Sequence, residues 1–219
     1  MTPGEHSERA KRDWEEWYEA YADPDSDLSR RLALVRTRIG ECLDAASDAA
    51  PLRILSLCAG EGRDLLPELA ARPALHTTTT LVELHPQLVA TASQAASGLE
   101  GVEIRRGDAG DVAMFADVVP VDLLLLCGIF GNISPADIQS TVSAVPSLLT
   151  AGGTVIWTRG RFDDDDDMRP VIRRWFTKEG LDEVAFDGDP ERFGVGVARA
   201  PADRPATPLT ATRLFTFAP

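Results

Sequence analysis

Cysteine is scarce in this chain: three in 219 residues, Cys42, Cys58 and Cys127, with no metal-ligand spacing among them. An odd, scattered set does not make a disulfide framework or a zinc site. Cys58 and Cys127 each end an apolar run, where a reduced cysteine serves as a small buried residue. Positive charge is also short. The 22 Lys and Arg face 35 Asp and Glu, for a net charge of −13. A surface this acidic repels phosphate backbones and anionic membranes, so neither nucleic acid nor a membrane is expected as a partner. The local pairs Arg105-Arg106 and Arg173-Arg174 are small against that field. No apolar run reaches the roughly 18 residues of a membrane span. The opening residues, Met1 to Arg9, lack the apolar core of a signal peptide, so the expected location is the cytoplasm. There is no internal repeat. Hydrophobic content of 44% and charged content of 26% are ordinary for a globular chain of one main domain.

What is present begins at Leu52-Arg53-Ile54-Leu55-Ser56-Leu57, an apolar run that ends in Cys58-Ala59-Gly60-Glu61-Gly62. Leu65, Leu66 and Leu69 then follow at helical spacing. This reads as a strand, a tight glycine turn and a helix, the opening unit of a nucleotide-binding α/β sheet. The glycines let the backbone turn sharply and a ligand come close. The helix start is expected to offer free N–H groups to an anionic group. The dinucleotide fingerprint wants a small residue three positions after the second glycine, and Leu65 stands there, which argues against NAD. No Gly-Lys-Ser or Gly-Lys-Thr follows the turn, which excludes a P-loop.

Four further strands follow in order. Leu81 to His85 carries an acid, Glu83, 21 residues after Gly62, where a carboxylate can accept both hydroxyls of a ribose. Val102-Glu103-Ile104 precedes Arg106-Gly107-Asp108-Ala109-Gly110-Asp111. Val121 to Leu126 is wholly apolar but for Asp122 and ends at Cys127-Gly128. Leu148 to Trp157 reads as a helix end, a Gly152-Gly153 turn and a fifth strand. Helices are predicted over 63–71, 86–97, 111–117, 135–149 and 168–179, with Ser134 as a cap and Pro135 at the first helical position. Strands alternating with helices indicate a parallel sheet covered on both faces. Beyond residue 180, Glu183 to Asp187 and Gly194 to Ala198 read as two strands around a turn, and Leu214 to Phe217 as one more.

This order of motifs resembles the class I S-adenosylmethionine-dependent methyltransferases over residues 50–200. The resemblance implies an α/β Rossmann-like fold: a seven-stranded, mostly parallel sheet, helices on both faces and an antiparallel last strand pair. It implies S-adenosylmethionine as cofactor, held by Cys58, Ala59, Gly60, Gly62, Asp64, Glu83, Leu84, Asp108, Ala109, Cys127 and Gly128. Within that set Glu83 would take the ribose, Asp108 and Ala109 the adenine, the glycine loop the methionine part, and Cys127-Gly128 the sulfonium end. The family usually has an acid at the position of Ser56 and a glycine at that of Cys58. The cofactor's amino group must then be held by another group, a water or Asp64. The implied activity is methyl transfer to an oxygen or nitrogen of a small-molecule acceptor by a monomer or homodimer. Two alternatives stand beside it: another reaction on the same cofactor, such as cyclisation or decarboxylation, and a non-catalytic cofactor-binding protein.

No fixed catalytic residue is legible, because the sulfonium already activates the methyl group and the protein mainly aligns the reactants. Acceptor contacts are expected from Phe130 and Asn132 after the fourth strand and from Arg159 after the fifth. Asn132 reads equally as a turn or cap residue, and Arg159 as a salt-bridge partner. Asp163 to Asp167 form a run of five acids. A solvated loop accounts for them, and a metal site lacks the acid it needs at Cys127-Gly128, so no metal is assigned. Residues 1–48 read as an N-terminal helical segment preceding the domain of residues 49–219. Trp14, Trp17, Tyr18 and Tyr21 share one helical face, and Leu28, Leu32, Val35, Ile39 and Leu43 form the stripe of a second helix. The aromatic face either packs on the sheet or closes over the cofactor, where Tyr18 and Tyr21 would reach the acceptor.

Overall fold

The computed structural model describes residues 21, 23–46, 50–161 and 167–217. Trp14, Trp17 and Tyr18, with the helix expected to carry them, lie outside the described residues, as do Asp163 to Asp166.

Helix α1, Asp27–Asp44, starts where Ser26 accepts a hydrogen bond from the Ser29 amide at 3.1 Å, and Asp27 suits the positive end of the first turn. Its buried residues Val35, Ile39 and Leu43 recur every four positions, so one face enters the core. Seven strands follow: β1 Leu52–Leu57, β2 Thr77–Glu83, β3 Val102–Arg106, β4 Val121–Leu126, β5 Leu149–Gly160, β6 Asp182–Asp189 and β7 Phe193–Arg199. They form one sheet in the order β3-β2-β1-β4-β5-β7-β6. The first five are parallel, while β7 runs antiparallel to both β5 and β6. The helices between them are α2 Leu66–Ala70, α3 Pro86–Ala95, α4 Pro135–Leu148 and α5 Arg169–Lys178.

Strand alternation sends successive side chains to opposite faces. Leu55, Leu57, Leu124, Leu126, Val155 and Trp157 pack with α4 and α5 on one face. Ile54, Leu81, Leu123, Leu125 and Ile156 pack with α1 and α2 on the other, where Val35, Ile39 and Leu43 share their core. The expected fold class is thus observed: a mostly parallel seven-stranded sheet, helices on both faces and an antiparallel end.

Several element boundaries differ from expectation. Strand β2 begins at Thr77, four residues before the apolar stretch, because Thr79 and Thr80 are buried between β1 and β3. The helix expected over 63–71 shrinks to the five residues of α2, preceded by turns, so it has little dipole to offer an anion. The segment 111–117 holds only a 3-10 turn, Val112–Met114, whose cap Asp111 accepts from the Ala113 amide at 3.0 Å. Strand β5 runs straight through Gly152-Gly153 instead of starting after it. Leu214 to Phe217 is not an eighth strand. It belongs to a strap touching the body through isolated bridges, Asp111 to Arg213 and Ile133 to Phe217.

Candidate functional site

Neighbouring parallel strands β1 and β4 are followed by crossovers that leave in opposite directions, toward β2 on one side and β5 on the other. At such a switch point the loops after the strands part and leave a crevice at the carboxyl ends. The loop after β1 turns through left-handed backbone at Cys58 (φ 55°), Gly60 (58°) and Gly62 (71°). At Gly62 a Cβ would stand 2.5 Å from Leu66 Cδ1 and 3.1 Å from Leu81 Cδ2, so only glycine lets the loop, α2 and β2 close together. Cys58 holds the same sparsely populated region without glycine's freedom, a small local strain.

Glu83, the last residue of β2, reaches across to this loop. Its Oε2 accepts from the Gly60 amide at 2.8 Å, and its Oε1 accepts from the His85 amide at 2.8 Å. The residue is 8% exposed. One carboxylate thereby fixes the glycine loop to the start of α3, with lone pairs to spare. Leu84, next in sequence, is 62% exposed, one of two large apolar side chains left open among the described residues.

Asp108 stands in the loop just after β3, whose last residue, Arg106, is the register partner of Glu83. Its Oδ1 accepts from the Gly110 amide at 2.9 Å, and its Oδ2 pairs with Arg213 Nη1 at 2.8 Å. Arg213 comes from the C-terminal strap, 105 residues away, and sequence reasoning missed it. The strap is seated by Leu214 N donating to Gly110 O at 2.8 Å and Thr141 Oγ1 donating to Leu214 O at 3.1 Å. A Cβ on Gly110 would lie 2.2 Å from Phe215 O, so the close approach explains that glycine. Ala109 is buried.

After β4, Cys127 is half-buried and Gly128 turns through φ 77°. The Gly128 amide donates to Thr158 Oγ1 at 2.9 Å, and Asn132 Nδ2 donates to Gly128 O at 2.7 Å. Asn132 is therefore the turn-closing residue of this loop. Phe130 is fully buried, its ring 6.0 Å from that of Trp157, so it packs the core rather than walling a pocket. Arg159 is 5% exposed and donates through Nη1 to Phe130 O at 2.6 Å. Both hold the loop from below. Such burial is invisible in sequence, where an arginine after a strand reads as solvent-facing.

Asp64, between the glycine loop and α2, has a buried Oδ1 with no hydrogen-bond partner among the described residues. Burial pushes its carboxyl up to about 6, against lesser opposition from neighbouring backbone amides and Arg36. Burial likewise lifts the Cys127 thiol well above its ordinary range, with the Asp64 charge adding to it. It lifts the Cys58 thiol too, with Glu83 and then Asp108 adding. Thiols held neutral in this way are poor nucleophiles. Tyr21 lies under the Arg63 guanidinium, 5.2 Å from its ring centroid, and burial raises its phenol. The Arg31 and Asp64 charges both reach it.

The expected cofactor residues, Cys58, Ala59, Gly60, Gly62, Asp64, Glu83, Leu84, Asp108, Ala109, Cys127 and Gly128, thus gather along the carboxyl ends of β1 to β4. Of the expected acceptor contacts, Tyr21 stands beside the glycine loop, Asn132 closes its own turn, and Phe130 and Arg159 lie inward. The basic residues Arg173, Arg174 and Lys178 line a shallow groove with Glu183 at the β6 edge, away from these strand ends.

No family model matches the sequence, and no characterised protein matches it at a significant level. Solved structures do match in fold. A magnesium protoporphyrin IX methyltransferase from Synechocystis, with bound S-adenosylmethionine, is 13% identical with a TM-score of 0.64; the match covers 87% of this chain and 92% of that one. An O-methyltransferase family protein from Burkholderia thailandensis is 14% identical with a TM-score of 0.60, over 87% of this chain and 70% of that one. The N-methyltransferase NodS from Bradyrhizobium japonicum is 15% identical with a TM-score of 0.57, over 82% and 99%. With its strand order and its carboxylate-braced glycine loop, the chain has the fold of the class I S-adenosylmethionine-dependent methyltransferases.

Proposed function

We propose that this protein is an S-adenosylmethionine-dependent methyltransferase acting on an oxygen or nitrogen of a small molecule. The observation that carries the reading is Glu83: a buried carboxylate at the end of β2, oriented by two backbone amides and facing the switch-point crevice. A carboxylate so held is preorganised to accept a vicinal pair of hydroxyls, as on a ribose, through charge-assisted hydrogen bonds. Exposed Leu84 supplies the apolar face for an adenine, and Asp108 with the Ala109 backbone the polar edge. Cys58, Ala59, Gly60 and Gly62 bring main chain close to the methionine part, and Cys127 and Gly128 border the sulfonium end.

When bound, the sulfonium supplies an activated methyl group. The chain's own work is then alignment and exclusion of water. Gly128 to Asn132, pinned by Thr158, Arg159 and the Trp157 packing, frames the acceptor side of the crevice from a rigid strand end. Tyr21 frames it from the α1 side. An acceptor whose lone pair is free needs no base, and the neutral thiols of Cys58 and Cys127 do not provide one. The net charge of −13 favours a neutral or cationic small acceptor over a phosphate polymer.

The test is thermal unfolding with S-adenosylhomocysteine and, separately, NAD. Ligand at a hundred times its dissociation constant should stabilise by about 2.7 kcal/mol. Stabilisation by the first and not the second is expected, and the reverse result rejects the reading. Release of S-adenosylhomocysteine with a labelled methyl on the acceptor then separates methyl transfer from other uses of the cofactor.

A further inference from the structure

The C-terminal strap is fastened to the loop after β3. Residues 201–217 carry no helix or named strand, yet the backbone is fixed on both sides of Arg213. The Val112 amide donates to Thr212 O at 3.1 Å, and the Leu214 amide donates to Gly110 O at 2.8 Å. Leu214 and Phe215 are buried and share one core with Ala109, Val112 and Phe115. Thr141 Oγ1, from α4, donates to Leu214 O at 3.1 Å. Only glycine fits at position 110, since a Cβ there would stand 2.2 Å from Phe215 O and 3.1 Å from Arg213 Nη1.

From that anchorage the Arg213 side chain turns back to Asp108. Its Nη1 donates to Asp108 Oδ2 at 2.8 Å and to Phe215 O at 3.1 Å. Asp108 Oδ1 accepts from the Gly110 amide at 2.9 Å. Both carboxylate oxygens are thus held, one by the loop and one by the strap, while each keeps a lone pair. The ion pair is nearly half in water, its side chains 47% and 42% exposed. A pair so exposed contributes little to folding stability. The strap is secured instead by its buried side chains and backbone hydrogen bonds. What the pair does is orient a carboxylate.

We infer that Arg213 is a positioning residue for base recognition: it holds the Asp108 carboxylate in the orientation that accepts the adenine amino group, and so makes the C-terminal strap part of the cofactor site. The inference rests on the cofactor reading given above, in which Asp108 meets the polar edge of the base. Hydrogen bonds weaken steeply off axis, so a carboxylate free to rotate recognises an amino group poorly. Fixing it beforehand moves that ordering from the binding step to folding. The consequence is selectivity between bases more than general tightness. A purine with a carbonyl in place of the amino group turns an acceptor toward a carboxylate that can only accept. A held carboxylate cannot swing away from that clash, whereas a loose one can.

The experiment is titration calorimetry of the whole chain with S-adenosylhomocysteine and with S-inosylhomocysteine, which carries a carbonyl in place of the amino group. Wild-type protein should prefer the adenosyl ligand by about tenfold to a hundredfold, the worth of a charged hydrogen bond. Arg213→Met should lower that preference about threefold or more, the scale on which members of one hydrogen-bonded network couple. Arg213→Lys, which returns a charged donor to the same contact, should recover most of it. In an Asp108→Asn background, Arg213→Met should change the preference no further. Thr141→Val loosens the strap from another side, so it should lower the melting temperature and leave the preference as in wild type. An unchanged preference in Arg213→Met, with or without an equal loss of affinity for both ligands, overturns the assignment and leaves Arg213 a structural contact. A fall in Thr141→Val equal to that in Arg213→Met overturns it too. Wild type that binds neither ligand overturns the cofactor reading, and the assignment with it.

Discussion

Replacing Glu83 by glutamine exchanges one carboxylate oxygen for an NH2 group, yet should cost both stability and ligand affinity. Both carboxylate oxygens accept backbone amides, Oε2 from Gly60 and Oε1 from His85, each at 2.8 Å. Glutamine has the same shape but only one oxygen. Whichever way its amide is turned, an NH2 group faces a backbone N–H, and one donor in an 8%-exposed site goes unsatisfied. Leaving that donor unpaired costs about 1–3 kcal/mol, and loss of charge from the surviving bond costs about 1 more. The total is about 2–4 kcal/mol. In a chain of this size each kcal/mol moves the melting temperature by roughly 2–4 °C, so a fall of about 5–15 °C is expected. S-adenosylhomocysteine should bind at least about tenfold more weakly, because the proposed ribose contact uses the same charge. Scanning calorimetry and titration calorimetry of Glu83→Gln beside Glu83→Ala measure both effects. A glutamine variant with wild-type melting temperature and affinity would refute the argument, for the carboxylate would then be neither bracing the loop nor facing the ligand.

Asp64→Asn should stabilise the ligand-free protein. The folded state holds the Asp64 proton more tightly than the unfolded chain, so this group's contribution falls as pH rises from about 4 to 6 and is fully unfavourable above that. A rise from 3.8 to about 6 corresponds to at most about 3 kcal/mol, so the variant's gain in melting temperature should be large at pH 7 and vanish near pH 4. A gain independent of pH would point to packing instead. Asp108→Ala should weaken S-adenosylhomocysteine binding about tenfold, the scale of a lost charged hydrogen bond. Asp111→Ala, which removes only the cap of a 3-10 turn, should cost about 1 kcal/mol of stability and no affinity, and the opposite pattern in calorimetry would show that the ligand meets Asp111. Cys58→Gly should fold normally and relieve the left-handed strain at φ 55°. A melting temperature lowered by more than a few degrees would mean that the thiol's packing outweighs that relief.

Local signals were legible because their causes are local. Ser134 caps α4 by reaching an amide three residues on, and glycines stand where the loop after β1 turns left-handed. The apolar runs of β1 and β4 followed from composition, and the parallel sheet from strands alternating with helices along the chain. The place of Glu83 at a strand end followed from spacing within one βα unit. Tertiary structure decided whatever depends on distant partners. Thr77 to Thr80 became strand because two neighbouring strands supply their backbone hydrogen bonds, which outweighs the polarity of four threonines. Phe130 and Arg159 turned inward because a carbonyl and an indole wait for them below the loop. Arg213 found Asp108 across 105 residues, which no spacing rule reaches. Asp64 shows the difference as well: its place beside the glycine loop is legible in the sequence, while the burial that lifts its carboxyl to about 6 is not.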